Sequence, residues 1–293
     1  MQYIEPLFRP PSEGNSLILQ VTNGCSWNKC TFCEMYTAPQ KKFKPKAADV
    51  LEQELQALQP YRTQIRRIFL ADGDAMTLSF RRLEEILLLI KRYLSDVQRV
   101  SSYCLPRNLK KKSVEELAQL NALGLTLMYV GCESGDDDVL TKVNKGENYQ
   151  SSLSALQKIK LAGMKSSVMI LNGLGGSHYL EQHARNSALL MNEAQPDYLS
   201  TLVVSFPMGE DRFRAGFDND FEPLTQLELF QEMEILLDTL ELEKTIFRSD
   251  HASNYLVLKG VLNKDKETLL HQVRQAINKP GSIALRQEWQ RGL

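Results

Sequence analysis

A repeated order of one strand-like run followed by one helix-like run constrains the fold of this 293-residue chain more than any other feature. The order occurs six times, and the helix-like segments carry apolar residues at helical spacing. The strand-like runs lie at residues 16–21, 67–71, 98–103, 125–130, 165–171 and 197–206. Such units form a parallel sheet with helices packed outside it, closed into a barrel or a partial barrel. The sequence therefore predicts an α/β fold, a parallel (β/α)6 partial barrel of the TIM type.

The alternation of strand-like and helix-like runs ends at about residue 210. Residues 224–242 and 265–278 have amphipathic helical patterns, and residues 245–262 are mixed. We therefore predict two domains: a barrel core over residues 14–210 and a mostly helical C-terminal extension over residues 211–293 that covers the barrel.

Composition narrows the class of function. The chain has 35 Lys and Arg against 36 Asp and Glu, whereas a protein that coats nucleic acid needs a strong basic excess. No apolar run approaches the roughly 18 residues of a membrane span, and the first residues lack the basic and apolar regions of a secretory signal. We expect a cytoplasmic protein with no membrane partner, whose substrate is a small molecule rather than a nucleic acid.

Polar or glycine-rich segments follow four of the predicted strands directly. They are residues 25–33, 72–74, 131–135 and 173–176. Because binding residues of β/α barrels gather at the carboxyl ends of the strands, we expect these segments to form the functional site.

Three cysteines, Cys25, Cys30 and Cys33, lie within nine residues after the first predicted strand. In a chain without an export signal, such clusters indicate a metal or a catalytic site before disulfides. A structural zinc site takes four ligands, usually as two pairs, and the sequence has no second pair of this kind. A [4Fe–4S] cluster held by three cysteines leaves one iron open to a non-protein ligand. The cluster is the favoured interpretation, with structural zinc as the alternative.

These segments together resemble the radical S-adenosylmethionine (SAM) superfamily, in the broad group of elongator-type and methylthiotransferase-type enzymes. The cysteines follow a CX4CX2C variant of the family's usual spacing. Phe32 stands directly before the last cysteine, where the family usually has an aromatic residue. Residues 72–74 stand where the family has a Gly-Gly-Glu segment that contacts the SAM amino group. Residues 131–135 resemble its Gly-x-Glu-Ser segment, and residues 173–176 resemble its adenine-side glycine segment.

The resemblance implies that Cys25, Cys30 and Cys33 hold a [4Fe–4S] cluster and that SAM binds the open iron. The other implied cofactor-binding residues are Phe32, Asp72, Gly73, Asp74, Glu133, Ser134, Gly173 and Gly175. The implied activity is reductive cleavage of SAM to a 5′-deoxyadenosyl radical, which abstracts hydrogen from an unassigned organic substrate. An electron donor such as flavodoxin or ferredoxin is the implied partner.

Two other functions stay open. Related families modify tRNA, but the net charge of −1 and the lack of an appended basic module place an RNA substrate below a small molecule. A non-enzymatic zinc-binding scaffold is the alternative from another class.

A polar stretch at residues 247–255 contains the candidate catalytic residues Arg248, Asp250 and His251. It indicates either the wall of a site or an ion-paired domain seam.

The remaining polar and sulfur side chains have simpler interpretations. We expect solvated surface positions for Lys145, His183 and the lysine runs at residues 41–46 and 110–112. We expect the isolated Cys104 and Cys132 to pack as small apolar side chains.

Overall fold

A computed structural model describes residues 1–292 of the chain. The ten strands of that range, β1 to β10, are Leu17–Gln20, Thr22–Asn23, Lys44–Pro45, Arg67–Ala71, Arg99–Cys104, Leu125–Glu133, Lys165–Asn172, Tyr198–Val203, Ile246–Ser249 and Leu258–Val261. Its nine α-helices, α1 to α9, are Ala48–Leu58, Phe80–Tyr93, Val114–Ala122, Asp137–Lys142, Tyr149–Leu161, Gly176–Ala194, Asp211–Ala215, Gln226–Thr239 and Leu262–Asn278. The chain divides into two compact units, unit 1 and unit 2.

Unit 1 comprises residues 1–28, 33–131 and 155–166. Its strands β1, β4, β5 and β6 are parallel neighbours in that order. In β4 the four consecutive residues from Ile68 to Ala71 are fully buried. Such a continuous apolar run is typical of a parallel strand covered on both faces. A short antiparallel pair, β2 with β3, follows β1.

Unit 2 comprises residues 29–32, residues 132–154 and the chain from residue 167 onward. Strands β7, β8 and β9 are parallel neighbours, and β10 pairs antiparallel with β9. Helix α8 packs against both α6 and α9. Its first turn is set by a capping box, in which Thr225 and Glu228 exchange side-chain and backbone hydrogen bonds.

The alternation of mostly parallel strands with helices confirms the predicted α/β class and is consistent with a partial barrel. The C-terminal part is mostly helical, as expected, through α8 and α9. Strands β9 and β10 lie in residues 245–262, whose sequence pattern is mixed and does not give their bounds. Each has only four residues, too few to establish an alternating pattern. No helix of residues 1–292 combines the length and the apolar surface needed to span a bilayer.

Two lysines expected on solvated faces are buried. The Lys41 ammonium pairs with Asp72 and donates to the Ile4 carbonyl at 2.9 Å. The Lys112 ammonium donates to the Met76 carbonyl at 2.7 Å, and burial lowers the pKa of Lys112. The expectation is wrong because the chain folds carbonyl and carboxylate oxygens around these ammonium groups, which the local run of charges does not reveal.

Replacing Lys41 with Met is expected to destabilise the protein by about 3 kcal/mol or more, because it leaves the Asp72 carboxylate buried without its partner. The neighbouring Lys42 is exposed, so Lys42→Met serves as the matched control and should change stability by less than about 0.5 kcal/mol. Urea unfolding at neutral pH measures both changes. Equal stabilities for the two variants would contradict a structural role for the pair.

Candidate functional site

The loop after β1 carries Cys25 and is hydrogen-bonded to the loop after β4. The backbone N–H of Gly24 donates to Asp72 Oδ2 at 3.3 Å, and that of Ser26 donates to Asp74 Oδ1 at 3.1 Å. The Ser26 hydroxyl also donates to Asp74 Oδ2. Two predicted cofactor-binding carboxylates therefore hold this loop on both sides of Cys25.

Burial changes the acidity of both carboxyl groups. Desolvation raises the pKa of Asp74 to about 6, and the hydrogen bonds from Ser26 oppose the rise. Desolvation also raises the pKa of Asp72, against the attraction of the Lys41 ammonium. Asp74 therefore titrates near neutral pH while it holds the cysteine loop.

Gly73 lies between these acids at a position where a larger residue would collide. A Cβ at this position would lie 2.6 Å from the Tyr36 ring and 3.1 Å from the Cβ of Cys25. Asn28 braces the same contact, since its side-chain amide donates to the Tyr36 carbonyl at 2.8 Å and its backbone N–H lies 3.4 Å from Cys25 Sγ. Unit 1 thus brings Cys25 together with the whole segment 72–74.

Cys30 and Phe32 belong to unit 2. A guanidinium nitrogen of Arg212 donates to the Cys30 carbonyl at 2.5 Å. The Phe32 ring centroid lies 5.6 Å from the Lys145 ammonium nitrogen, within the range of a cation–π contact. Lys145 in turn reaches the segment that follows β6.

Glu133 at the end of β6 forms a buried ion pair with Lys145, with 3.0 Å between Oε1 and Nζ. Burial alone would lower the pKa of Lys145, but the Glu133 carboxylate raises it above its usual value. The expectation of a solvated Lys145 is therefore wrong. Glu133 has φ +66°, a left-handed conformation that costs a residue with a Cβ about 1 kcal/mol. The ion pair holds the Glu133 carboxylate in one orientation.

Ser134 and His183 form the next contact in unit 2. The Ser134 hydroxyl lies 2.7 Å from His183 Nδ1, and His183 Nε2 lies 3.0 Å from the Leu171 carbonyl oxygen. A carbonyl only accepts, so Nε2 carries the proton and Nδ1 accepts from Ser134. Burial lowers the pKa of His183 to about 4, which keeps the ring neutral. The expectation of a surface histidine is wrong, because His183 is 1% exposed.

Gly173 follows β7 and contacts helix α8 of the C-terminal part. Its backbone N–H donates to Glu232 Oε2 at 2.7 Å. Burial raises the pKa of Glu232 to about 8, and the bond from Gly173 opposes the rise. Glu232 was not among the predicted site residues, although an acid among the apolar residues of an amphipathic helix is a signal that could have identified it.

Gly175 precedes the first residue of α6. A Cβ on Gly175 would lie 2.7 Å from the Tyr179 Cβ, so the helix packs closely over this glycine. Gly173 and Gly175 therefore occupy the turn between β7 and α6, at the carboxyl end of the strand.

The three candidate catalytic residues lie in or beside β9 and make local contacts. Arg248 is exposed and donates to the Phe247 carbonyl. Asp250 pairs with Lys259 at 2.8 Å, and His251 Nδ1 lies 2.9 Å from the Ser253 hydroxyl. Their catalytic role stays a prediction.

The isolated cysteines are buried, as expected. Cys104 is 2% exposed and Cys132 is fully buried. Burial raises the pKa of the Cys132 thiol to about 12, so this sulfur stays protonated.

The cysteine loop supplies a donor set suited to an iron–sulfur cluster. Its three thiols lie within nine residues, and none of the five cysteines forms a disulfide. Cys25 and Cys33 belong to unit 1, and Cys30 belongs to unit 2. Among residues 1–292, no three His, Cys, Asp or Glu side chains come together as a metal-binding group. The fit to a cluster therefore rests on the chemistry and spacing of the thiols and on the close packing of Gly73 against Cys25.

A family model for the radical SAM superfamily matches residues 19–185. The chain belongs to the radical SAM superfamily. Enzymes of this superfamily use a [4Fe–4S] cluster and SAM, which confirms the predicted cofactors and enzyme class. The matched residues include the whole cysteine loop and all the strand-end segments described above.

One relative and two solved structures are similar to parts of the chain. The heme chaperone HemW of Bacillus subtilis strain 168 is 24% identical over 142 residues, which cover 47% of this chain and 37% of HemW. Coproporphyrinogen III oxidase (HemN) of Escherichia coli matches with a TM-score of 0.57 and 17% identity over 92% of this chain and 70% of HemN. Methylornithine synthase (PylB) matches with a TM-score of 0.52 and 14% identity over 78% of this chain and 63% of PylB.

The chain thus spans little more than a third of the length of the heme chaperone that it matches. The structural likenesses show the fold. The comparisons support the superfamily, whereas the elongator-type or methylthiotransferase-type subgroup and the CX4CX2C assignment stay predictions.

Glu232 is expected to make stability depend on pH. Its carboxyl group loses a proton near pH 8 in the folded protein and at about pH 4.3 when exposed in the unfolded chain. The folded state therefore binds more protons between these values, so stability falls as pH rises from about 4.3 to 8 and levels off above pH 8. We expect wild type to lose up to about 4 kcal/mol relative to Glu232→Gln between pH 5 and pH 9.

Urea unfolding at pH 5, 7 and 9 measures this difference. Glu234→Gln is the control, because Glu234 lies on the same helix but forms a partly exposed ion pair with Arg274. Parallel pH profiles for wild type and Glu232→Gln would show that Glu232 is ionised throughout.

Proposed function

We propose that this chain is a radical SAM enzyme that reductively cleaves SAM and abstracts hydrogen from a small organic substrate. The observation that carries the proposal is the anchoring of the Cys25 loop on Asp72 and Asp74, in a chain whose residues 19–185 match the family. When bound, the [4Fe–4S] cluster and SAM supply the electron and the 5′-deoxyadenosyl radical for this chemistry.

Cys25, Cys30 and Cys33 would hold the cluster through their thiolates, and the lack of a fourth cysteine in the loop leaves one iron for SAM. The hydrogen bonds from Gly24 and Ser26 to the two aspartates keep the first cysteine in place. A loop held in this way does not have to be ordered when the cofactor binds.

Glu133 and Asp74 supply carboxylates for the amino group or the ribose hydroxyls of SAM. Hydrogen bonds to a carboxylate are among the stronger kind. Lys145 holds the Glu133 carboxylate in one orientation, and burial raises the pKa of Asp74 to about 6. Glycines 173 and 175 let the backbone approach the nucleoside closely.

Superfamily enzymes need an electron donor, and we propose a flavodoxin-like or ferredoxin-like protein in the cytoplasm. The near-zero net charge supports a small-molecule substrate over RNA. The family match disfavours a non-enzymatic zinc scaffold.

Anaerobic reconstitution with iron and sulfide tests the proposal directly. Wild type is expected to take up iron and to release 5′-deoxyadenosine from SAM in the presence of dithionite. Cys30→Ala should lose both properties, because two thiolates do not retain the cluster.

The control is Cys104→Ala, since Cys104 is buried on β5 outside the loop. This variant should retain iron and SAM cleavage. Wild type that binds zinc but no iron, or that holds iron and never cleaves SAM, would contradict the proposed function.

A tetrapyrrole is a second candidate ligand, because the chain is similar in sequence to a protein named a heme chaperone. If it binds one, hemin titrated into the purified protein will give a saturable change in heme absorption at one heme per chain. An absorption change that does not saturate would remove this candidate.

A further inference from the structure

A chain of buried polar groups in unit 2 joins two of the strand-end segments. Ser134, in the segment after β6, bonds to His183 on α6. His183 bonds to the carbonyl of Leu171 on β7. Two residues further along, Gly173 donates to Glu232 on α8. His183 Nε2 and Glu232 Oε1 are 3.9 Å apart, so the two side chains face each other across the end of β7.

The proton positions in this chain follow from the partners. His183 donates to Leu171, accepts from Ser134 and is neutral. The Ser134 hydroxyl also accepts the backbone N–H of Asp136 at 2.9 Å. Ser134 therefore uses both its donor and an acceptor, and its position depends on the histidine.

The buried position of Glu232 destabilises the folded state. Glu232 is 2% exposed, and its Oε1 atom has no hydrogen-bond partner among the described residues. An unsatisfied buried polar atom destabilises the folded state. The neighbouring Leu229, Met233 and Leu236 on α8 are buried and apolar, so an apolar residue would suit the packing better. What Glu232 contributes to the structure is its hydrogen bond from the Gly173 N–H.

The hydrogen bond from Gly173 to Glu232 fixes a residue whose backbone is conformationally permissive. Gly173 has φ +79°, and glycine reaches many other conformations at little cost. A carboxyl oxygen 2.7 Å from its N–H selects one of them. The turn that follows β7 is therefore set by a side chain from the C-terminal part of the chain.

We propose that His183 and Glu232 are positioning residues, which hold the segments at Ser134 and Gly173 in the arrangement that binds SAM. This inference rests on the proposed function, because SAM is the ligand whose binding the two residues support. Neither residue needs to touch SAM, since each acts through a neighbour.

The test compares Glu232→Leu, Glu232→Gln and the control Glu234→Gln after reconstitution. Equilibrium dialysis measures the SAM dissociation constant, and iron content and thermal unfolding are measured in parallel. We expect Glu232→Leu to weaken SAM binding about tenfold, the equivalent of one hydrogen bond, with iron content unchanged. Glu232→Gln should stay within about threefold of wild type, because its amide oxygen still accepts from Gly173.

His183→Gln provides a second variant if Glu232→Leu does not fold. Its amide can donate to Leu171 but lacks the ring nitrogen that accepts from Ser134, so we expect SAM binding to weaken about tenfold. A folded variant of either kind that binds SAM within twofold of wild type would overturn the inference, even if its melting temperature falls.

Different results overturn the proposed function and the positioning role. Wild type that holds no iron, or that holds iron without binding SAM, overturns the proposed function together with this inference. Wild type that binds SAM no better than folded Glu232→Leu and His183→Gln overturns the positioning role alone.

Discussion

Buried carboxyl groups set the arrangement of the segments that carry the candidate site residues. A carboxylate withdrawn from water is costly unless it is paired or hydrogen-bonded, so each one selects the groups around it. The pairs are Asp72 with Lys41, Asp74 with Ser26, Glu133 with Lys145 and Glu232 with the Gly173 backbone. In each pair the partner lies on another segment of the chain. The pairing requirement therefore links each of these carboxyl groups to a second segment of the chain.

The strands and their ends could be predicted because local patterns encode them. Strand β4 has the predicted bounds, and its apolar run stops where Asp72 begins. The residues that follow such a run lie at the carboxyl edge of the parallel sheet. Position along the chain was therefore enough to select the segments that contain Asp74, Glu133 and Gly173, and the family resemblance then implied these residues.

The partners of these residues could not be predicted, because they are chosen in three dimensions. Lys41 and Lys42 are adjacent and identical in the sequence, yet one is buried against a carboxylate and the other is exposed. Lys145 and His183 likewise lie among polar neighbours that are typical of a surface. Strands β9 and β10 lie where the sequence pattern is mixed, so their bounds depend on pairing with a neighbouring strand. In each case a contact with another segment decides the position of the residue, and a local sequence pattern does not reveal that contact.

The contribution of α8 shows why comparison with relatives leaves part of such a site unseen. The family model ends at residue 185, and Glu232 lies well beyond it. Its contact with Gly173 nevertheless reaches a turn that the family model includes. The turn between β7 and α6 therefore has a conformation that depends on residues outside the matched core. Because a glycine-rich turn adopts many conformations by itself, a different C-terminal part could reshape the same turn without any change in the matched residues. The C-terminal part therefore helps to set the conformation of a turn that lies inside the matched region.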